Sequence, residues 1–353
     1  MPSVTNRDEL DDALCQGIID VSQAACVSTI GDADNAWSIN GLFGFFIPSA
    51  QQLHFMAVAL ADKVVIGSAM VDAPLLDNLN TAEIFIEVHP DHRRLGIGSA
   101  LLAWAETIAA DQGRHVFHTW FTSRPPTSDT PMVTAPTGDS MPADSPGGLF
   151  SSKHGYSLEQ VERDALLTLP IATRQLEAWQ AEAQPKAAGY RLHSWPAPIP
   201  DQWVDDYAQL RGEAPTSAPT AGVVIEDEKW DAARIREEWS REVLTGNHSL
   251  ITVAEHIDSG RLVAFTEIET ADAKPEVAYQ CYTYVQPDHR GHRLGLLTKA
   301  TNLAQLMDFA PAVKRLYTDN ATENSHMLAI NQIMGFGLRS FTGYSEKKIN
   351  TTS

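Results

Sequence analysis

Two short loops hold the residues whose types and spacing could do chemistry. The run Val88-His89-Pro90-Asp91-His92-Arg93-Arg94-Leu95-Gly96-Ile97-Gly98 returns without a gap as Val285-Gln286-Pro287-Asp288-His289-Arg290-Gly291-His292-Arg293-Leu294-Gly295. A strand, a tight Arg/Gly loop and a helix that starts inside the loop would aim backbone N–H groups and the positive end of a helix dipole at one point. That chemistry is anion binding, and two copies imply a duplicated phosphate-binding fold. Glycines let a phosphate approach the main chain closely, and Arg93 and Arg290 add charged donors. Carboxylates lie nearby in sequence. Strand alternation puts Glu83 and Glu87 on one face ahead of the first loop, and Glu267 and Glu269 together on a strand of the second half.

The elements that must position these residues repeat as well. Met56–Leu60 and Val64–Val71 read as a hairpin turning at Ala61-Asp62, matched by Ile251–Glu255 and Leu262–Ile268. A third strand follows in each half, over 82–88 and 276–285. The loop and a helix come next, over 98–111 and 295–309, with apolar residues spaced by three and four. Further strands are expected near 116–121 and 313–318. Beyond them the halves diverge. Residues 124–148 are rich in Pro, Ser, Thr, Asp and Gly and read as a long loop with little structure of its own. A strand pattern resumes over 156–170, the second half ends in a strand pair near Ile349, and 201–246 holds two helical patterns split at 214–222. The division expected is a first domain over 1–172, a linker over 173–188, of which 174–188 looks helical or linker-like, and a second domain over 189–353.

Composition sets limits on function. The chain has 353 residues, 43% hydrophobic and 20% charged, with a formal net charge of −19, as in a soluble two-domain globular protein. Such acidity disfavours nucleic acid and anionic membranes and suits a cationic small molecule such as an amine. No run reads as long and apolar enough to span a bilayer, and the polar N-terminus lacks the regions of a signal peptide. Three scattered cysteines, Cys15, Cys26 and Cys281, indicate neither a disulfide framework nor a zinc site and suit a reducing cytoplasm. His115 and His118, or His289 and His292, are spaced as metal ligands can be, but no third ligand stands out, and no metal is expected. A Walker loop is excluded because no Gly-Lys-Ser/Thr follows, and a Rossmann loop lacks its third glycine.

Arg93-x-x-Gly96-x-Gly98 fits the acyl-CoA loop Q/R-x-x-G-x-G/A, and the chain resembles the GCN5-related N-acetyltransferase (GNAT) family as two tandem copies. Actinobacterial two-domain acetyltransferases such as mycothiol synthase share that arrangement. The second loop departs from the pattern, with Arg293 where the first glycine belongs and Gly291 close by. The resemblance implies an α/β (α+β) fold of two GNAT-like domains, each a mixed, mostly antiparallel sheet that splays beside the loop and is flanked by helices. It implies acetyl-CoA or another acyl-CoA as co-substrate. The grip would come from Val88, Arg93, Arg94, Leu95, Gly96, Ile97, Gly98 and Ser99, and from Val285, Arg290, Gly291, His292, Arg293, Leu294, Gly295 and Leu296.

A second family element carries an Asn for the pantetheine arm and a Tyr that protonates the departing thiolate. Asn324 matches that Asn, while Asn331 stands at the Tyr position; in the first half Asp144 and Ser151 occupy the two places. A coenzyme A thiolate, with a pKa of about 8.5, can leave with only a hydrogen-bond donor nearby. For the base, the family's use of strand carboxylates points to Glu83 and Glu87 in the first half and to Glu267 or Glu269 in the second. The expected reaction is direct attack of a small-molecule amine on acetyl-CoA in a ternary complex, by a monomer or homodimer. The better pantetheine element favours the second half as the catalytic one. The missing acids leave a non-catalytic acyl-CoA sensor or scaffold as the alternative.

Overall fold

The computed structural model describes residues 11–217, 226 and 228–349. Residues 1–10 of the polar N-terminus and most of the 214–222 break lie outside them. The chain divides into two compact units. Among the described residues, unit 1 takes 11–163, 226 and 340–349, and unit 2 takes 164–217 and 228–339.

Unit 1 begins with helices α1 (Asp12–Ile30) and α2 (Ile39–Phe46) and strands β1 (Gln52–Ala61), β2 (Val64–Pro74) and β3 (Thr81–Val88). Asp62 and Lys63 both take positive φ between β1 and β2, the turn geometry that matches strand twist in a two-residue hairpin. Helix α3 (Ile97–Asp111) and strand β4 (Val116–Ser123) follow. The stretch read as a structureless loop contains a small hairpin, β5 (Met132–Thr134) with β6 (Ser140–Pro142), and then helix α4 (Pro146–Lys153). Its Ser145 side chain caps α4 by accepting from the Gly148 amide. Turn-forming composition hid these short elements. Strand β7 (Ser157–Thr168) then carries the chain from unit 1 into unit 2.

In unit 1 the strand order is β1-β2-β3-β4-β13, where β13 (Gly337–Lys348) is the last strand of the chain. The expected closing strand pair is thus one long strand, pairing antiparallel with β4 from Phe341↔Ser123 to Lys348↔Val116. Helices α1 and α2 cover one face through Ile18, Leu42 and Phe46. Helix α3 covers the other with Leu101, Leu102 and Ala105, its apolar residues recurring at helical spacing. By length and composition α1 could cross a membrane, which the reading of apolar runs passed over. Here its Cys15, Ile18 and Val21 are buried in the core.

Unit 2 repeats the plan. It runs through α5 (Thr173–Ala183), β8 (Tyr190–Pro196), α6 (Asp201–Ser217), α7 (Ala232–Thr245), β9 (Asn247–His256), β10 (Arg261–Ala271), β11 (Val277–Val285), α8 (Leu294–Phe309), β12 (Arg315–Ala321) and α9 (Ser325–Met334). The strand order is β12-β11-β10-β9-β8. Helices α5 and α8 pack on one face through Leu176, Trp179, Leu297 and Leu303. Helices α6 and α7 pack on the other through Tyr207, Leu210, Ile235 and Trp239. Of the two readings of 174–188, helical or linker-like, the helical one applies through Ala183, and the apolar residues of α5 join unit 2's core.

Both units open at the same place. β3 pairs parallel with β4 only from Thr81↔Val116 to Glu83↔His118. β11 pairs with β12 only from Val277↔Arg315 to Tyr279↔Tyr317. Beyond those pairs the two strands of each unit part from each other, running on to Val88 and Ser123, and to Val285 and Ala321. Each unit thus has a splayed cleft ending at its repeated loop.

Candidate active site

The two loops share one backbone path with exchanged residues. Unit 1 takes left-handed φ at Arg94 (65°) and Gly96 (85°); unit 2 takes it at Gly291 (85°) and Arg293 (60°). These are equivalent positions, so each loop places one glycine and one arginine where the path demands positive φ. The departure from the loop pattern at Arg293 therefore leaves the backbone unchanged, at the roughly 1–2 kcal/mol an L-residue costs there. Arg293 also pairs with Glu182 at 2.5 Å. The leading arginines act alike: Arg93 Nε donates to the Val88 carbonyl and Arg290 Nε to the Val285 carbonyl, both at 3.1 Å. Each ties the loop to the end of its strand.

Neither α3 nor α8 has a side-chain cap at its N-terminus. The first-turn amides that such a cap would satisfy face the loop instead, a ready anion site. Gly98 and Gly295 sit where space is tight. A Cβ on Gly98 would lie 3.2 Å from Phe150, and one on Gly295 would lie 3.0 Å from Ile330 and 3.9 Å from Thr283. Loop, strand and following helix therefore converge at each of these glycines. In unit 1, Ser99 Oγ also meets His154 Nε2 at 3.0 Å.

The carboxylates differ between the units. Glu83 lies on β3 at the splay point, opposite His118, and His118 itself pairs with Glu346 at 3.1 Å. Glu87 accepts from the Ser22 hydroxyl at 3.0 Å, while its buried Oε2 has no partner. Burial, offset in part by Ser22 and Arg93, raises Glu87 to about 7. Glu267 is held more firmly. Its Oε2 accepts from Tyr207 (2.5 Å) and Arg211 (3.1 Å), and its Oε1 from Ser249 (2.8 Å). Both oxygens are occupied and the side chain is 2% exposed, so the geometry gives Glu267 a structural role where the sequence suggested a base.

Around Glu267 lies a cluster of acids. Ser249 Oγ lies between Glu242 (2.6 Å) and Glu267 (2.8 Å). A hydroxyl has one hydrogen to give, so both contacts are hydrogen bonds only while one carboxyl keeps its proton. That fits Glu242, raised to about 7 chiefly by burial. Glu269 is raised to about 8 by burial, then by Glu267, Glu242 and Glu238. The β10–β11 register shifts between Glu267 and Ile268, whose partners are Tyr282 and Gln280, so Cys281 bulges from the ladder at the mouth of the splay. Across the opening on β12, burial and the neighbouring Asp164 raise Asp319 to about 6. Asp319 and Cys281 both reach solvent along the cleft; the protein on its two walls is still close enough to raise them.

Asn324, expected to hold pantetheine, and Asn331, at the place of the thiolate-protonating Tyr, are also engaged. Asn324 caps α9 by accepting from the Met327 amide at 3.3 Å. Asn331 is buried and bonds Lys299 and Asn320 at 2.7 and 2.6 Å.

Comparison with known proteins agrees with this geometry. Residues 31–126 match the acetyltransferase (GNAT) family. The whole chain is similar in fold to a tandem GNAT protein from the clavulanic acid biosynthesis pathway, 22% identical, with 97% of each chain covered and a TM-score of 0.74. It is also similar to a GCN5-related N-acetyltransferase from Sphaerobacter thermophilus, 17% identical, covering 95% of this chain and 92% of that one, with a TM-score of 0.61. No curated protein matches the sequence. A GNAT acetyltransferase domain thus matches within unit 1, and the chain as a whole has a tandem GNAT fold.

Within this GNAT fold, the sequence reading missed Asp319 and Lys299. Asp319 gave no signal, being one acid in a short strand. Lys299 did give one: it falls on the apolar face of α8, between Leu296 and Leu303, where a charge is out of place. Among the described residues, no group of three or more His, Cys, Asp or Glu could hold a metal ion.

Proposed function

We propose that this GNAT protein is an acyl-CoA-dependent N-acyltransferase acting on a small-molecule amine, with acetyl-CoA as donor and the chemistry in unit 2. The observation that carries the reading is the group of perturbed carboxylates gathered where β11 and β12 part, because such clusters in a cleft mark functional sites.

The two faces of β12 divide the labour. Leu316 packs with α8, and alternation sends Asn320 to that same face, where the loop would grip the coenzyme diphosphate. Asp319 turns to the opposite face, toward Glu269 and the α6–α7 carboxylates, which suit a cationic amine. An ammonium must lose a proton before it attacks. At neutral pH Asp319, at about 6, is ionised, while Glu269, at about 8, keeps its proton. Asp319 is therefore the acceptor of that proton. The amine nitrogen then attacks the thioester carbonyl, whose oxygen the unladdered backbone at Cys281 would polarise. The C–S bond breaks, coenzyme A leaves as thiolate, and the nitrogen gives up its second proton to solvent as the amide forms. The three free thiols and the acidic surface suit a cytoplasmic enzyme.

Calorimetric titration with acetyl-CoA and a thiol-release assay over an amine panel test the reading. Gly295→Trp should abolish release, because an indole there fills the convergence of loop, Thr283 and Ile330. Turnover lost only with Gly98→Trp would move the chemistry to unit 1. Saturable binding with no release for any amine would favour the sensor.

A further inference from the structure

Lys299 is 0% exposed and lies on α8, just over one turn beyond the anion loop. Its Nζ donates to Asn331 Oδ1 at 2.7 Å and stands 5.2 Å from the centre of the Phe336 ring. Among the described residues no carboxylate is bonded to it; Asp319 is the charged group that acts on it, and Asp164 acts on Asp319 in turn. A buried ammonium with one acceptor for three hydrogens is a costly feature.

Its donor character fixes what comes next. An ammonium can only donate, so Asn331 must turn its oxygen to Lys299 and its nitrogen away. That nitrogen donates to Asn320 Oδ1 at 2.6 Å. Asn320 in turn must point its oxygen at Asn331, leaving its own amide hydrogens to the cleft. The three side chains form a one-way series of donors from α8 through α9 to β12. Each bond polarises the next, and the series ends past the last β11–β12 pair, on the coenzyme side of the splay.

We infer that Lys299, Asn331 and Asn320 form a polarised donor relay whose terminal Asn320 amide hydrogen-bonds the sulfur of the departing coenzyme A and stabilises it as thiolate. Asn320 is the catalytic residue of the three, because it would touch the sulfur; Lys299 and Asn331 position and polarise it. No proton need pass along the relay: the C–S electron pair stays on sulfur, and the thiolate takes its proton from solvent on release. Burial lowers Lys299 to about 7, so the relay weakens as pH rises through that value. The inference rests on unit 2 being the site of transfer.

The test uses the full chain carrying Gly98→Trp, so that bound coenzyme A belongs to unit 2. Thiolate absorbance of bound coenzyme A is titrated with pH, and kcat and KM are measured for acetyl-CoA. The unmodified relay should lower the pKa of the bound thiol. Asn320→Ala and Lys299→Met should each raise it again, giving about tenfold less thiolate at pH 6, where Lys299 is still charged, with kcat falling and KM for acetyl-CoA little changed. Lys299→Arg, which keeps the charge, should restore part of the loss. Coenzyme A bound equally well with the same thiol titration in all variants overturns the relay alone. No binding at all in the Gly98→Trp chain overturns the assignment to unit 2 beneath it.

Discussion

Asp319→Asn is expected to lower kcat/KM for the amine by about a hundred- to a thousandfold, within the usual worth of a positioned general base. The substitution keeps the shape of the side chain and removes its ability to take a proton. In the parent protein kcat/KM should climb with pH and break near 6, where Asp319 ionises. Burial and the charge of Asp164 lift it from the ordinary carboxylate range, so the break falls above the usual value. In Asp319→Asn that break should vanish. Glu269→Gln should preserve it, since Glu269 is raised to about 8 and is protonated in that range. If Glu269→Gln removes a break near 8 and Asp319→Asn changes neither limb nor rate, the base is Glu269.

Asp319 also marks where sequence reading runs out. The strands and helices around each loop were legible because they rest on local periodicity: alternation in 56–71 and 251–268, three-and-four spacing in 98–111 and 295–309. Glu87 was legible as a candidate because it shares a strand with the first loop. The acid cluster was not. Glu238 and Glu242 lie on α7, Glu267 and Glu269 on β10 and Asp319 on β12, and only the folding of those elements brings them together. The same applies to Lys299, visible as a charge on an apolar face but mute about its partner on α9. The Arg/Gly exchange in the loops was misleading for another reason. A residue pattern records which side chains are usual, whereas the anion site needs two left-handed backbone positions, and Arg293 can occupy one. The stretch 174–188 could be read as helical or linker-like because Leu176, Trp179 and Ala183 recur on one helical face, a weak pattern until α8 is there to receive it.

Arg211→Met is expected to destabilise unit 2 by about 3–5 kcal/mol, as when one partner leaves a buried ion pair. Arg211 is 4% exposed. It donates to Glu267 and Glu238 at 3.1 Å each and lies 4.5 Å from the centres of both the Trp230 and Tyr282 rings. Met replaces much of its volume and none of its charge. Glu267 and Glu238 would then share their surroundings with Glu242 and Glu269 and no cation between them. The loss should depend on pH. Glu242 and Glu269 have folded values of about 7 and about 8 against an ordinary 4.5. The folded state thus holds protons that the unfolded chain releases, and the stability linked to them is complete below about 4.5 and lost as pH rises through 7 to 8. Without Arg211, whose charge favours ionised Glu269 and Glu238, the cluster should hold its protons more tightly, so the decline should steepen and the deficit should be larger at pH 8.5 than at pH 5. Urea denaturation at the two pH values checks this. An equal deficit at both would mean that Arg211 acts through its packing between the two rings, and that the acid cluster does not depend on its charge.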